Sequence, residues 1–204
     1  MSQLTARPQC PPPLLSMAGF RRWTVAEYHK MIEVGLLTEG EPIELLEGYL
    51  VEKAVRNPPH EASLRRVTTR LPARLPPGWF LQVQGAVSLS ESEPEPDGAI
   101  LRGSDADYDS RLPVAADIGI VIEVSDSSLR FDEVDKGRIY SREGIAVYWI
   151  INAADKCVEV YTDPDPAASP PAYRTRTDYR PGDAVPIVLD GQPAGSIPVA
   201  DLIP

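Results

Sequence analysis

Glu123 is the residue that first suggests chemistry. It lies in the run Ile118-Gly119-Ile120-Val121-Ile122-Glu123-Val124, and an acid inside an apolar strand is costly to bury as an ion unless a cation or hydrogen-bond donors compensate it. A strand-end glutamate reaching solvent or an arginine is the plainer reading of such a residue. Two more carboxylates occupy comparable places. Asp97 follows a proline and opens the apolar run Ala99-Ile100-Leu101, and Glu44 sits in the short run Ile43-Glu44-Leu45-Leu46. Three carboxylates carried by separate strands can converge on a divalent cation, which prefers carboxylate oxygen and water. Lys136 lies on the helix expected after the Glu123 strand, where its ammonium can reach back to such a cluster and hold a phosphate or polarise a water. Its plainer alternative is a solvated lysine paired with Asp132 or Asp135.

The other candidates are fewer. His60 lies four residues before Leu64, so a helix puts it on the inward face; a bond at the helix start and a place at the site both suit it. Two histidines and two distant cysteines, Cys10 and Cys157, make neither a zinc site nor a disulfide framework. Ser125 lacks a Gly-x-Ser-x-Gly context, and no glycine-rich phosphate loop is present. Tyr148-Trp149-Ile150-Ile151 reads as core rather than a base-stacking platform. Arg65, Arg66 and Arg70, with Arg74, form a basic strip that suits either phosphate contacts or a solvated helix face.

The elements that must position these groups follow from capping and periodicity. Thr24 and Glu27 have capping-box spacing, so Thr24 opens a helix with Val25, Tyr28, Ile32 and Leu36 on one face and Gly35 placed to end it. Ile43 to Val51 reads as two short strands around a turn at Glu47-Gly48. Pro59 suits the first turn of a helix whose inward stripe is Leu64, Val67 and Leu71, closed by Pro72. Trp79 to Leu89 reads as one long strand. Ile118 to Val124 is apolar on both faces and belongs mid-sheet. A helix over 132–142, stopped by Gly144, and strands over 146–151 and 158–161 follow. Two short edge strands are expected near 173–177 and 184–189. The predicted organisation is a mobile arm over 1–19, one α/β or α+β domain over 20–163 and a proline-rich extension over 164–204.

Composition excludes several classes. The chain has 204 residues, 43% hydrophobic and 25% charged, with a net charge of -10 and a pI near 4.7. This is an ordinary globular composition without the broad basic footprint of a generic DNA-coating protein. No apolar run approaches the roughly 20 residues of a membrane span. The first twenty residues do not read as a secretory signal, so a cytoplasmic location is expected.

Taken in order, Glu44-Leu45-Leu46-Glu47-Gly48, His60, Pro96-Asp97, Ile122-Glu123-Val124-Ser125, Lys136 and Val147-Tyr148-Trp149-Ile150 resemble the Uma-type endonucleases of the restriction-endonuclease-like PD-(D/E)XK superfamily. The likeness spans roughly Trp23 to Tyr161. It implies a mixed central β-sheet flanked by helices and a Mg²⁺-dependent (Mn²⁺ also suitable) phosphodiesterase site acting on DNA. Asp97 matches the Asp of the Pro-Asp motif, Glu123 the (D/E) position, and Glu44 the acid ahead of them. Ser125 stands where the superfamily pattern has lysine, and Lys136 matches the lysine moved to the following helix. The resemblance implies that Asp97 and Glu123 hold the metal with the Val124 carbonyl, while Lys136 orients water and Glu44 steadies the lysine or a second metal. A homodimer suits the cutting of two strands. The rival readings are a catalytically inactive nuclease-fold binding or assembly module, favoured by the acidic net charge, and a structural homodimer that exchanges its ends. Convergence of Glu44, Asp97, Glu123 and Lys136 in one cleft is what separates them.

Overall fold

The structure is a computed structural model that describes residues 19, 21–38, 40–53 and 56–204; the expected N-terminal arm lies, but for Gly19, outside them. Thr24 caps helix α1 (Val25–Glu33) through the expected capping box with Glu27. The helix buries Tyr28 and Met31 rather than the longer stripe, leaving Ile32 and Leu36 exposed. It stops at Glu33, and Gly35 turns the chain at φ 72°, so Leu36 no longer shares its face. Strands β1 (Ile43–Leu46) and β2 (Tyr49–Glu52) pair as a hairpin. Its turn holds Glu47 and Gly48 at positive φ, and a Cβ at Gly48 would fall 2.6 Å from that of Arg22. Helix α2 (Pro58–Arg70) starts at the Asn57 cap and ends on Leu71, ahead of Pro72.

Strands β3 (Trp79–Val83), β4 (Gly98–Arg102), β5 (Ile118–Ser125), β6 (Val147–Asn152), β7 (Cys157–Asp165) and β8 (Ala172–Tyr179) form one mixed sheet in the order β3-β4-β5-β6-β7-β8. The expected strand over Trp79 to Leu89 is cut short. Gln84 at φ 53° turns the backbone out of the sheet, and Val87 and Leu89 are buried from the loop that follows. Only β5 and β6 run parallel. A parallel pair needs a crossover, supplied by α3 (Leu129–Phe131), a π-helical turn over Asp132–Lys136 and α4 (Gly137–Arg142). The helical stretch therefore starts before Asp132 and carries a bulge, where the Gly137 N–H reaches back to the Asp132 carbonyl.

β5 is buried along its whole length, as a central strand covered on both faces must be. Ile120, Ile122 and Val124 pack against Leu64, Val67 and Leu71 of α2. Val121 packs on the opposite side with Ile139 and Tyr140 of α4 and Leu46 of β1. The segment from residue 164 adds β8 to the sheet and a hairpin of β9 (Ala184–Leu189) and β10 (Gln192–Pro198). Val185, Ile187, Ile197, Leu202 and Ile203 from this segment join the core on the α2 side. The basic strip of α2 meets the same segment: Arg66 donates to the Ala200 carbonyl at 2.7 Å, and Arg70 and Arg74 pair with Asp201. Tyr148, Trp149, Ile150 and Ile151 are fully buried, as core residues. Cys157 is a buried free thiol. Among the described residues, no helix is long and apolar enough to cross a membrane.

Candidate active site

The pairing of β4 with β5 begins the site. Its register sets Gly98 opposite Ile122, so the preceding Asp97 falls beside Glu123 on the neighbouring strand. Glu123 points to the α4 side of the sheet, because alternation puts it on the same face as Val121. There, Lys136 from the π-helical turn donates to Glu123 Oε1 at 2.9 Å, and the Tyr140 hydroxyl donates to the same oxygen at 2.7 Å. Glu44 of β1 approaches from the other side, with Oε1 3.8 Å from the Lys136 ammonium. Its Oε2 accepts the Glu95 N–H at 3.1 Å. Asp97 Oδ2 accepts the Val124 N–H at 2.9 Å and lies 3.0 Å from His60 Nε2.

These groups share a cleft of about 360 Å³ lined by Glu44, Asp97, Glu123, Lys136, His60 and Asp132 among others. The structure thus brings together all four residues singled out from the sequence, with His60 beside them. Lys136 is 7% exposed, which excludes the solvated-lysine alternative. Two contacts close the rim: Lys53 pairs with Glu95, and the Asn57 side chain bonds Asp126.

Burial and unbalanced charge together shift several of these groups. Burial pushes the Glu123 carboxyl up to about 8; Lys136 opposes the shift, while Asp132, Asp97 and Glu44 add to it. Burial lowers Lys136, but Glu123, Glu44 and Asp132 outweigh it and leave the ammonium raised. The asymmetry has a simple origin: at Lys136 several carboxylates outweigh burial, whereas at Glu123 burial outweighs the single ammonium. Burial also raises Asp132, against the pull of Lys136 and the Ser128 hydroxyl. For Asp97, burial acts upward, yet the His60 and Val124 bonds and the Lys136 charge carry the carboxyl below its ordinary value.

The family model of Uma2, described as "Putative restriction endonuclease", matches residues 25–194. The chain belongs to the Uma2 family. The match runs from the start of α1 into β10, across every element that carries the cleft. A crystal structure described as that of a putative nuclease belonging to DUF820, from Anabaena variabilis ATCC 29413, has a similar fold. The two chains are 17% identical with a TM-score of 0.56, and the likeness covers 88% of this chain and 96% of that one. No curated protein matches the sequence.

Within this Uma2 fold, Asp132 is more than the surface partner for Lys136 that the sequence suggests. It is 3% exposed and accepts the Ser128 hydroxyl at 2.6 Å. The spacing held the signal, since residues 132, 136 and 140 recur every four positions and a helix stacks them on one side. Asn57, which caps α2 and bonds Asp126, gave no comparable signal.

The donor set suits a hard divalent cation through two of its carboxylates. Among the described residues, no three His, Cys, Asp or Glu side chains form a ready-made metal cage, and Glu44 is turned to the lysine and the Glu95 amide rather than to a common centre. Asp97 and Glu123 suit the role as a pair. Each has one oxygen fully engaged, Oδ2 and Oε1, while the other takes no hydrogen bond from a described residue. One or two carboxylates with water and substrate oxygens are the usual protein contribution to a Mg²⁺ site. A cation here would also correct the excess of buried negative charge.

Proposed function

We propose that the cleft is the active site of a metal-dependent endonuclease hydrolysing DNA phosphodiester bonds. The observation that carries this reading is the pair of Asp97, just before β4, and Glu123 on the adjacent β5, with a buried lysine bonded to the second acid. In it, Asp97 and Glu123 hold Mg²⁺ or Mn²⁺ through the oxygens that the protein leaves unbonded. Bound there, the cation supplies positive charge at the phosphate and an acidified water. Lys136 is the charged donor beside the acids; its ammonium orients the attacking water or the phosphate oxygen and favours the negative charge that builds during attack. Glu44 steadies that ammonium from behind, and Tyr140 keeps Glu123 Oε1 occupied. Two protomers related by a two-fold axis would present one cleft to each strand.

The net charge of -10 favours a second reading, a nuclease-fold module that binds or assembles without cutting. Supercoiled plasmid incubated with Mg²⁺ separates the two. Nicking by the wild type that is lost in Asp97→Ala supports the endonuclease; equal nicking by both, or none by the wild type, refutes it.

A further inference from the structure

His60 is the one cleft histidine, and its contacts give it a definite task. Its Nε2 lies 3.0 Å from Asp97 Oδ2, the same oxygen that accepts the Val124 N–H at 2.9 Å. Nδ1 is buried with no hydrogen-bond partner, and the nearest carboxylate, Glu61, is 3.9 Å away. With an acceptor facing Nε2 and none facing Nδ1, Nε2 is the nitrogen that carries a proton, and it donates to Asp97. Leaving the second nitrogen buried and unpaired is costly, and a ring kept for packing alone has no reason to carry that cost.

The helix start is anchored to deliver this bond. Asn57 Oδ1 accepts the His60 N–H at 3.2 Å, and the Asn57 amide bonds Asp126 just beyond β5. One residue thus fixes the first turn of α2 and ties it to the strand that carries Glu123. His60 then bridges from that turn to the residue before β4. With Oδ2 clamped between an imidazole and a backbone amide, the plane of the Asp97 carboxylate is set, and Oδ1 is the oxygen left for another ligand.

We infer that His60 is a positioning residue, whose Nε2–H clamps Asp97 Oδ2 so that Oδ1 is presented to a divalent cation. The inference rests on the metal-dependent reading of the cleft. It makes no use of a charged imidazole, so a neutral donor of similar reach serves as well.

The test compares two side chains of nearly equal shape, His60→Gln, which donates an N–H, and His60→Met, which does not. Mn²⁺ is titrated into each and into the wild type, with bound metal read from loss of the free-ion paramagnetic resonance signal and from the rise in melting temperature. Groups that orient a ligand in this way are worth about 10- to 100-fold in metal affinity, so His60→Met should bind Mn²⁺ at least about 10-fold more weakly and His60→Gln within about threefold of wild type. Equal melting temperatures in EDTA show that the fold is unchanged; if His60→Met does not fold, His60→Ala replaces it. Wild-type affinity in the non-donating variant, or equal weakening in both, overturns the role of His60 while leaving the metal site standing. No Mn²⁺ binding by the wild type overturns the metal-dependent reading and His60's role with it.

Discussion

Replacing Glu123 by glutamine should make the metal-free protein more stable while removing its response to metal. The magnitude follows from the burial of the carboxyl, which lifts its pKa from 4.5 to about 8 despite Lys136 at 2.9 Å. A folded-state pKa above the unfolded one means that the native protein holds a proton the unfolded chain has already released. Stability is then greatest below pH 4.5 and falls as pH rises, until the folded group also ionises near 8. The loss accumulates at about 1.4 kcal/mol per pH unit, reaching roughly 3 kcal/mol at pH 7 and roughly 5 kcal/mol above pH 8. Glutamine keeps the shape and has no proton to release, so Glu123→Gln escapes the whole of it.

The assay is urea or thermal unfolding of both proteins in EDTA at pH 4, 7 and 9. At pH 4 the curves should coincide. At pH 7 the variant should melt roughly 6–12 °C higher, taking about 2–4 °C per kcal/mol for a domain of this size. Added Mn²⁺ should raise the wild type and leave the variant unmoved, because only the wild type has the second carboxylate to bind it. A variant that melts at or below the wild type at pH 7 in EDTA would show that the Glu123–Lys136 pair outweighs burial, and the charge argument would fail.

Two further outcomes test the surrounding structure. Lys136→Met removes the ammonium that bonds Glu123 and approaches Glu44; it should cost about 3–5 kcal/mol at neutral pH, because Glu44 and Asp132 lose their compensating charge too, whereas Glu123→Gln leaves the ammonium those two carboxylates. Part of that loss should disappear in the Lys136→Met, Glu123→Gln double variant, read as a mutant cycle by denaturant unfolding. Leu202→Ala, at a fully buried position in the core beneath β5, should cost about 2–5 kcal/mol. An unchanged denaturation midpoint there would mean that the tail does not contribute to the core.

How much of this could be read from the residues depended on contrast. Glu123 stands out because every other residue from Ile118 to Val124 is apolar or glycine, and Asp97 because a proline and an apolar run bracket it. Asp132 had no such contrast. It lies among Glu133 and Asp135, which suggest a solvated helix start, and only packing of the crossover against β5 turns it inward. Gln84 hid the end of β3, since a non-glycine residue at φ 53° leaves no mark in composition. Alternation in Val185, Ile187 and Leu189 indicated a strand, but the surface that would receive it was set by α2 and β5, far away in sequence. The restriction-endonuclease-like sheet was legible because its central strands are long and doubly buried; the loops that aim the side chains were not.

The covering of β5 has a consequence for biosynthesis. One side of that strand is sealed partly by Val185, Ile187 and Ile197, which leave the ribosome well after Glu123 does. A nascent chain interrupted between these points would hold its carboxylates on a sheet with Ile120, Ile122 and Val124 bared to water or to chaperones. The cleft's carboxylates would then stand on a fully covered sheet only after synthesis has passed the closing hairpin.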